Sequence, residues 1–151
     1  MTKFDDIDKM IINRIQSDFP IAERPYKVIA EELGLSEEVV LDKVRNLKEA
    51  GFIRRIGGNF GPEKLGFTST LCAAKVPSEK INEFAEVVNK YPGVTHNYLR
   101  ENDFNVWFTF ISPSMDEIKS NLEQIKKDTG VEEILNLPAT DVFKIRAQFK
   151  L

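Results

Sequence analysis

Between Gly93 and Ser112 the chain reads GVTHNYLRENDFNVWFTFIS, and this stretch leaves few options for the fold. Two runs rich in Val, Thr, Tyr, Trp and Phe flank the polar tetrad Glu101-Asn102-Asp103-Phe104. That composition predicts two paired strands joined by a turn over residues 101–104. Pairing Arg100 with Asn105 sets Tyr98 opposite Trp107 and His96 opposite Thr109, because alternate residues of a strand share a face. One face is then His96, Tyr98, Arg100, Asn105, Trp107 and Thr109. The other, Leu99, Val106, Phe108 and Phe110, is the face that packs on helices. The first face gathers an imidazole, a phenol, a guanidinium and an indole, a set that suits either a ligand site or a dimer interface.

Ahead of this hairpin the periodicity is helical. Ile7, Met10, Ile11 and Ile15 form a stripe over Asp5 to Gln16, with Asp5 and Asp6 placed for the helix dipole. Pro25 opens a second helix carrying Tyr26, Ile29 and Leu33, which ends at Gly34. Ser36 caps a third, whose inner stripe is Val40, Val44 and Leu47 and whose stop is Gly51. The run FIRRIGGNF, Phe52 to Phe60, reads as a small hairpin wing about Gly57-Gly58. Three helices and a wing make a winged helix-turn-helix over residues 1–60.

The Gly- and Pro-containing link from Asn59 to Gly66 marks a boundary, and residues 61–151 follow a different pattern. Thr68 to Val76 reads as a strand and Ser78 to Tyr91 as a helix. The hairpin comes next, then a helix from Met115 to Thr129. The last strand lies within Val131 to Leu151, interrupted by Pro138. The order βαββαβ is that of a ferredoxin-like sandwich, so the fold class is α+β.

With 151 residues, 42% of them hydrophobic, the chain can bury one good core or two small ones. Its only cysteine, Cys72, sits in an apolar run and excludes an internal disulfide or a cysteine metal cluster; a buried small hydrophobe is expected there. The N-terminus shows no leader pattern, and no apolar run approaches the length that spans a bilayer, so a cytoplasmic protein is expected. The net charge of −3 provides no general pull toward nucleic acid or anionic membrane.

The segment LGLSEEVVLDKVRNLKEAGFIRRIG followed by a βαββαβ domain resembles the Lrp/AsnC family of regulators over nearly the whole chain. Within that superfamily, ERPY at 23–26, IRRIGGNF at 53–60, KLGF at 64–67 and above all THNYLRENDFNVWFTF resemble the siroheme decarboxylase subunits. The hairpin carries the specific part of the likeness, since many proteins reuse the winged-helix module. DNA binding, the work of the regulators, is disfavoured by charge. Residues 1–60 hold 10 Lys and Arg against 11 Asp and Glu. Glu37 and Glu38 also stand at the end of the third helix that normally enters the groove. Amino-acid sensing is disfavoured too. The regulators' central turn has a glycine before an acid-aromatic-acid run, whereas this chain has Glu101-Asn102-Asp103-Phe104-Asn105.

The resemblance implies siroheme as substrate, an iron isobacteriochlorin that loses two acetate carboxyl groups as carbon dioxide, and no separate cofactor; haem is a second candidate ligand. Gripping the remaining carboxylates suits arginine: Arg100 on the hairpin face, with Arg54, Arg55 and Arg146. Asn105 stands on the same face. Trp107 and Tyr98 supply an aromatic wall. His96 is the first choice for the general acid, with Tyr98 as its hydrogen-bond partner or an alternative acid. The rival role for His96 is axial ligand to the substrate iron. The exposed sheet face expected of this superfamily implies a dimer, with a homologous subunit or a second copy.

Overall fold

Helix α1 (Asp6–Ile15) starts from a reciprocal cap: the Asp5 carboxylate accepts the Asp8 N–H at 2.8 Å, and the Asp8 carboxylate accepts the Asp5 N–H at 3.1 Å. Helix α2 (Pro25–Leu33) has proline in its first turn and ends at Gly34, whose φ of 68° is the left-handed conformation a glycine adopts without a Cβ penalty. Helix α3 (Glu37–Glu49) is capped by the Ser36 hydroxyl, which accepts the Val39 N–H at 3.3 Å. Ile11, Ile29, Ala30, Val40 and Val44 close a small core among the three helices. The computed structural model describes residues 5–144, 148, 149 and 151.

The expected wing is absent as a strand pair. Residues 52–60 are described and carry no strand, and Arg54 and Arg55 are exposed there. A two-stranded ribbon with five residues before the glycines and two after them makes too few ladder bonds to stand on its own.

The chain divides into two compact units, Met1–Gly58 with Lys144–Leu151, and Asn59–Phe143. The end of the chain thus belongs with the helical unit. Side-chain amides in α1 and at its C-cap hold Phe149 and Leu151 by their backbone: Gln16 pairs with Phe149 in both directions at 2.7 and 2.8 Å, and Asn13 with Leu151 at 3.2 and 3.3 Å.

The second unit has the order β1 (Thr68–Ala74), α4 (Ile81–Asn89), β2 (Val94–Leu99), β3 (Val106–Ser112), α5 (Met115–Thr129) and β4 (Ile134–Leu137). Its sheet runs β2-β3-β1-β4, antiparallel throughout. This is the expected βαββαβ sandwich. Cys72, Ala74, Val106, Phe108 and Phe110 point at the helices and bury against Phe84, Val88, Ile118, Leu122 and Ile125. Burial pushes the Cys72 thiol up to about 12, so it stays protonated and inert. Leu99 departs from expectation. It shares a side with Phe108 by alternation, yet is 64% exposed, because it closes an edge strand beyond the reach of the helices. Strand β4 stops at Pro138, which cannot donate to a ladder, and the alternating residues that follow form no strand among those described. No described helix is long and apolar enough to cross a membrane.

Candidate active site

The expected hairpin register is present. His96 stands across from Thr109 and Tyr98 across from Trp107, and the Arg100 N–H donates to the Asn105 carbonyl at 2.7 Å. The turn between them is fastened from within. The Phe104 N–H donates to Asn102 Oδ1 at 3.2 Å, and the Trp107 indole N–H donates to the Phe104 carbonyl at 2.6 Å. Trp107 therefore offers a ring face, with its donor already satisfied.

His96, Tyr98 and Arg100 form a row along edge strand β2. The imidazole stacks on the phenol ring with centroids 6.0 Å apart and planes at 26°. The Arg100 guanidinium lies on the same ring, with Cζ 5.9 Å from its centroid. Three residues two apart thus make one continuous surface that is cationic at one end and carries a titratable nitrogen at the other. All three are exposed.

Two expected partners act differently. His96 Nδ1 lies 3.0 Å from the Thr95 hydroxyl, so the hydrogen-bond partner of the imidazole is Thr95, while Tyr98 stacks on it. Strict alternation would send Thr95 to the other face, and no sequence signal flags it. Asn105 spends its carboxamide on the end of β1: Oδ1 accepts the Val76 N–H at 2.9 Å and Nδ2 donates to the Val76 carbonyl at 2.8 Å. It shapes the hairpin mouth, with its oxygen and one of its two amide hydrogens engaged there. Arg54 and Arg55 lie in the other compact unit, in the exposed segment after α3. Arg146 lies outside the described residues.

The strand registers place Leu71, Trp107, Thr109, Ile111, Leu135 and Leu137 on this same open side of the sheet. Leu71, Leu135 and Leu137 are each about two-fifths exposed, at 42%, 41% and 42%. A groove of about 480 Å³ opens nearby, between Tyr91, Gly93, Thr95, Ile111 and Glu117. Thr95 lines it, whereas His96, Tyr98, Arg100 and Trp107 do not. The row is an exposed surface beside that groove and not part of its lining. No group of three or more His, Cys, Asp or Glu among the described residues could hold a metal ion.

Residues 64–144 match the AsnC-like ligand binding domain family, and residues 8–54 match the siroheme decarboxylase NirDL-like HTH domain. The siroheme decarboxylase alpha subunit of Desulfovibrio desulfuricans is 53% identical over 151 residues, covering 100% of this chain and 87% of the relative. The chain belongs to the siroheme decarboxylase family. The alpha subunit of Oleidesulfovibrio alaskensis is 54% identical over 149 residues, covering 99% of this chain and 90% of the relative. The solved siroheme decarboxylase NirDL in complex with an iron-uroporphyrin III analogue superposes with a TM-score of 0.67 at 32% identity. That match takes in 95% of this chain and 48% of the other, so the chain spans about half the length of the solved decarboxylase it matches. Siroheme decarboxylases thus carry the likeness over both units.

Proposed function

We propose that this chain is a subunit of a siroheme decarboxylase, removing carbon dioxide from two acetate side chains of siroheme to give didecarboxysiroheme on an alternative route to haem or haem d1. The observation that carries the reading is the His96-Tyr98-Arg100 row facing Trp107, in a chain all of which matches an alpha subunit at 53% identity. Each residue has a task. Arg100, pre-set by its contact with the Tyr98 ring, takes a substrate carboxylate through paired N–H donors. Tyr98 and Trp107 supply flat apolar contact for the macrocycle. Breaking the bond to the carboxylate releases carbon dioxide and leaves an electron pair on the ring-attached methylene. Conjugation with the macrocycle delocalises that pair until a proton arrives, and a methyl group results. His96 delivers that proton. The balance requires no oxidant and no cofactor beyond the macrocycle itself.

The partner is a homologous subunit, or a second copy, seated on the open sheet side. An exposed row on an open sheet covers one face of a planar ligand, so in this reading the second wall comes from another chain. The relative of twice the length is what two such chains joined end to end would give. The reading places the complex in the cytoplasm. It also leaves the helix-turn-helix without a DNA role. On and beside α3, Lys43 pairs with Asp5 and Asp8, Arg45 with Asp42, and Arg24 with Glu37, so cations that would meet phosphates are already engaged.

The test is anaerobic incubation of siroheme with the chain, alone and with its homologous subunit, following the product by mass. Loss of two carbon dioxide units is expected with both chains present. Unchanged siroheme despite demonstrated binding reduces the chain to a tetrapyrrole-binding scaffold, and salt-dependent binding to duplex DNA without siroheme binding returns it to the regulators.

A further inference from the structure

Strand β2 does not pair evenly with β3. Val94 stands opposite Phe110 and His96 opposite Thr109, so two steps on one strand match one step on the other, and Thr95 is the extra residue of a β-bulge. In an unbroken strand Thr95 and His96 would point to opposite faces. The bulge turns them together, and the Thr95 hydroxyl comes to 3.0 Å from His96 Nδ1. The chain is pinned just before this point. The Gly93 carbonyl accepts the Ile111 N–H at 2.8 Å, and a Cβ on Gly93 would lie 2.0 Å from the Ile111 oxygen, so only glycine lets the strands approach this closely.

We propose that Thr95 is a positioning residue that holds His96 with its proton on Nδ1 and presents Nε2 as the nitrogen that handles the proton at the substrate. The inference rests on the reading of His96 as the acid. An acid-form imidazole carries a proton on both nitrogens, so its contact with Thr95 has one sense: Nδ1–H donates to the hydroxyl oxygen. When Nε2 gives up its proton to the methylene carbon, that same bond persists unchanged. The ring neither flips nor exchanges partners during the step. The stacked Tyr98 ring fixes the plane in which Nε2 is offered. A hydroxyl does this without adding charge, unlike the carboxylate that often orients a histidine.

His96 is the only histidine, so its ring nitrogens are observable without assignment in a chain labelled with ¹⁵N-histidine. At a pH where the ring is neutral, the full chain should show a single form, with Nδ1 protonated and Nε2 bare. Thr95→Val, which keeps the shape and the strand preference, should give a mixture of the two neutral forms, and Thr95→Ser should restore the single form. In the two-subunit enzyme, Thr95→Val should lower kcat about fivefold, the worth of one neutral hydrogen bond, with KM unchanged and with recovery in Thr95→Ser. Ring nitrogens unmoved by Thr95→Val overturn the positioning role whatever turnover does. Nitrogens that move while His96→Ala turns over at the wild-type rate show that the contact is real and that the assignment of His96 as the acid is wrong.

Discussion

Asn105 and Val76 hold each other by a two-way amide bond, the side chain of one against the backbone of the other, at 2.9 and 2.8 Å. The bond ties the mouth of the β2–β3 hairpin to the end of β1, and the Asn105 N–H adds a third link to the Ala74 carbonyl at 3.0 Å. Arg100 and Trp107 stand on either side of that anchor. Asn105→Ala strips two partners from the Val76 peptide groups, and a loss of about 1–3 kcal/mol in urea unfolding is expected. Siroheme affinity should fall as the mouth loosens. An unchanged unfolding midpoint would show that water replaces the carboxamide at no cost.

Arg100 and Lys are not interchangeable here, because the guanidinium both lies on the Tyr98 ring and offers a paired fork to a carboxylate. Arg100→Lys should weaken siroheme binding by roughly tenfold, the worth of about one charge-assisted hydrogen bond, and Arg100→Ala by more. Titration followed in the Soret region measures both. Equal affinity in Arg100→Lys would leave Arg100 with only a general charge effect.

Trp107 is the only tryptophan, and its indole donor is already bonded to Phe104. Siroheme laid against this face should quench the emission of that one fluorophore. Trp107→Phe keeps an apolar wall and should retain most of the affinity, whereas Trp107→Ala should not. Binding of siroheme without quenching would place the macrocycle elsewhere.

His96 has two rival roles that spectra separate. As a general acid, His96→Ala should lower turnover by roughly 10²–10⁴-fold while the Soret band of bound siroheme stays in place. As an axial ligand it would shift that band on substitution, because the iron would lose a nitrogen donor. The absorption spectrum of the variant, taken with bound siroheme before turnover, decides between them.

The helical unit should show a pH dependence to which the Lys43–Asp5 pair contributes, beside the Arg14–Glu32 pair, whose carboxyl is likewise held below its usual range. Bonding to Lys43 holds the Asp5 carboxyl below its usual range, and the same pair raises Lys43 above the usual lysine range. A depressed carboxyl stabilises the folded form above its unfolded pKa, and that contribution is lost as pH falls below about 4. The raised lysine contributes fully below its unfolded value and is lost on the alkaline side, above about pH 10. Both groups are accessible to solvent, so the effect is modest. Lys43→Met should make both limbs of thermal stability against pH shallower, the acid limb keeping the Glu32 contribution, and a profile identical to wild type would show that the Lys43 pair is fully screened.

The order of elements and the pairing of Tyr98 with Trp107 were legible in the sequence. Each follows from short-range rules: a 3.6-residue stripe, caps at Asp5 and Ser36, and period-two alternation about a polar turn. The row of His96, Tyr98 and Arg100 was legible for the same reason, since residues two apart on a strand share a face whatever surrounds them. Tertiary structure alone decided the rest. A bulge at Thr95 depends on how closely Gly93 approaches Ile111, and it re-aims a side chain that alternation sends the other way. The role of Asn105 depends on Val76, which is brought beside it by sheet order and not by sequence spacing. The wing failed to pair because a ribbon needs more ladder bonds than FIRRIGGNF supplies, and Leu99 stayed in solvent because an edge strand outruns its helices. Local periodicity sets which side chains share a surface, and packing between distant segments sets which of them are free to act.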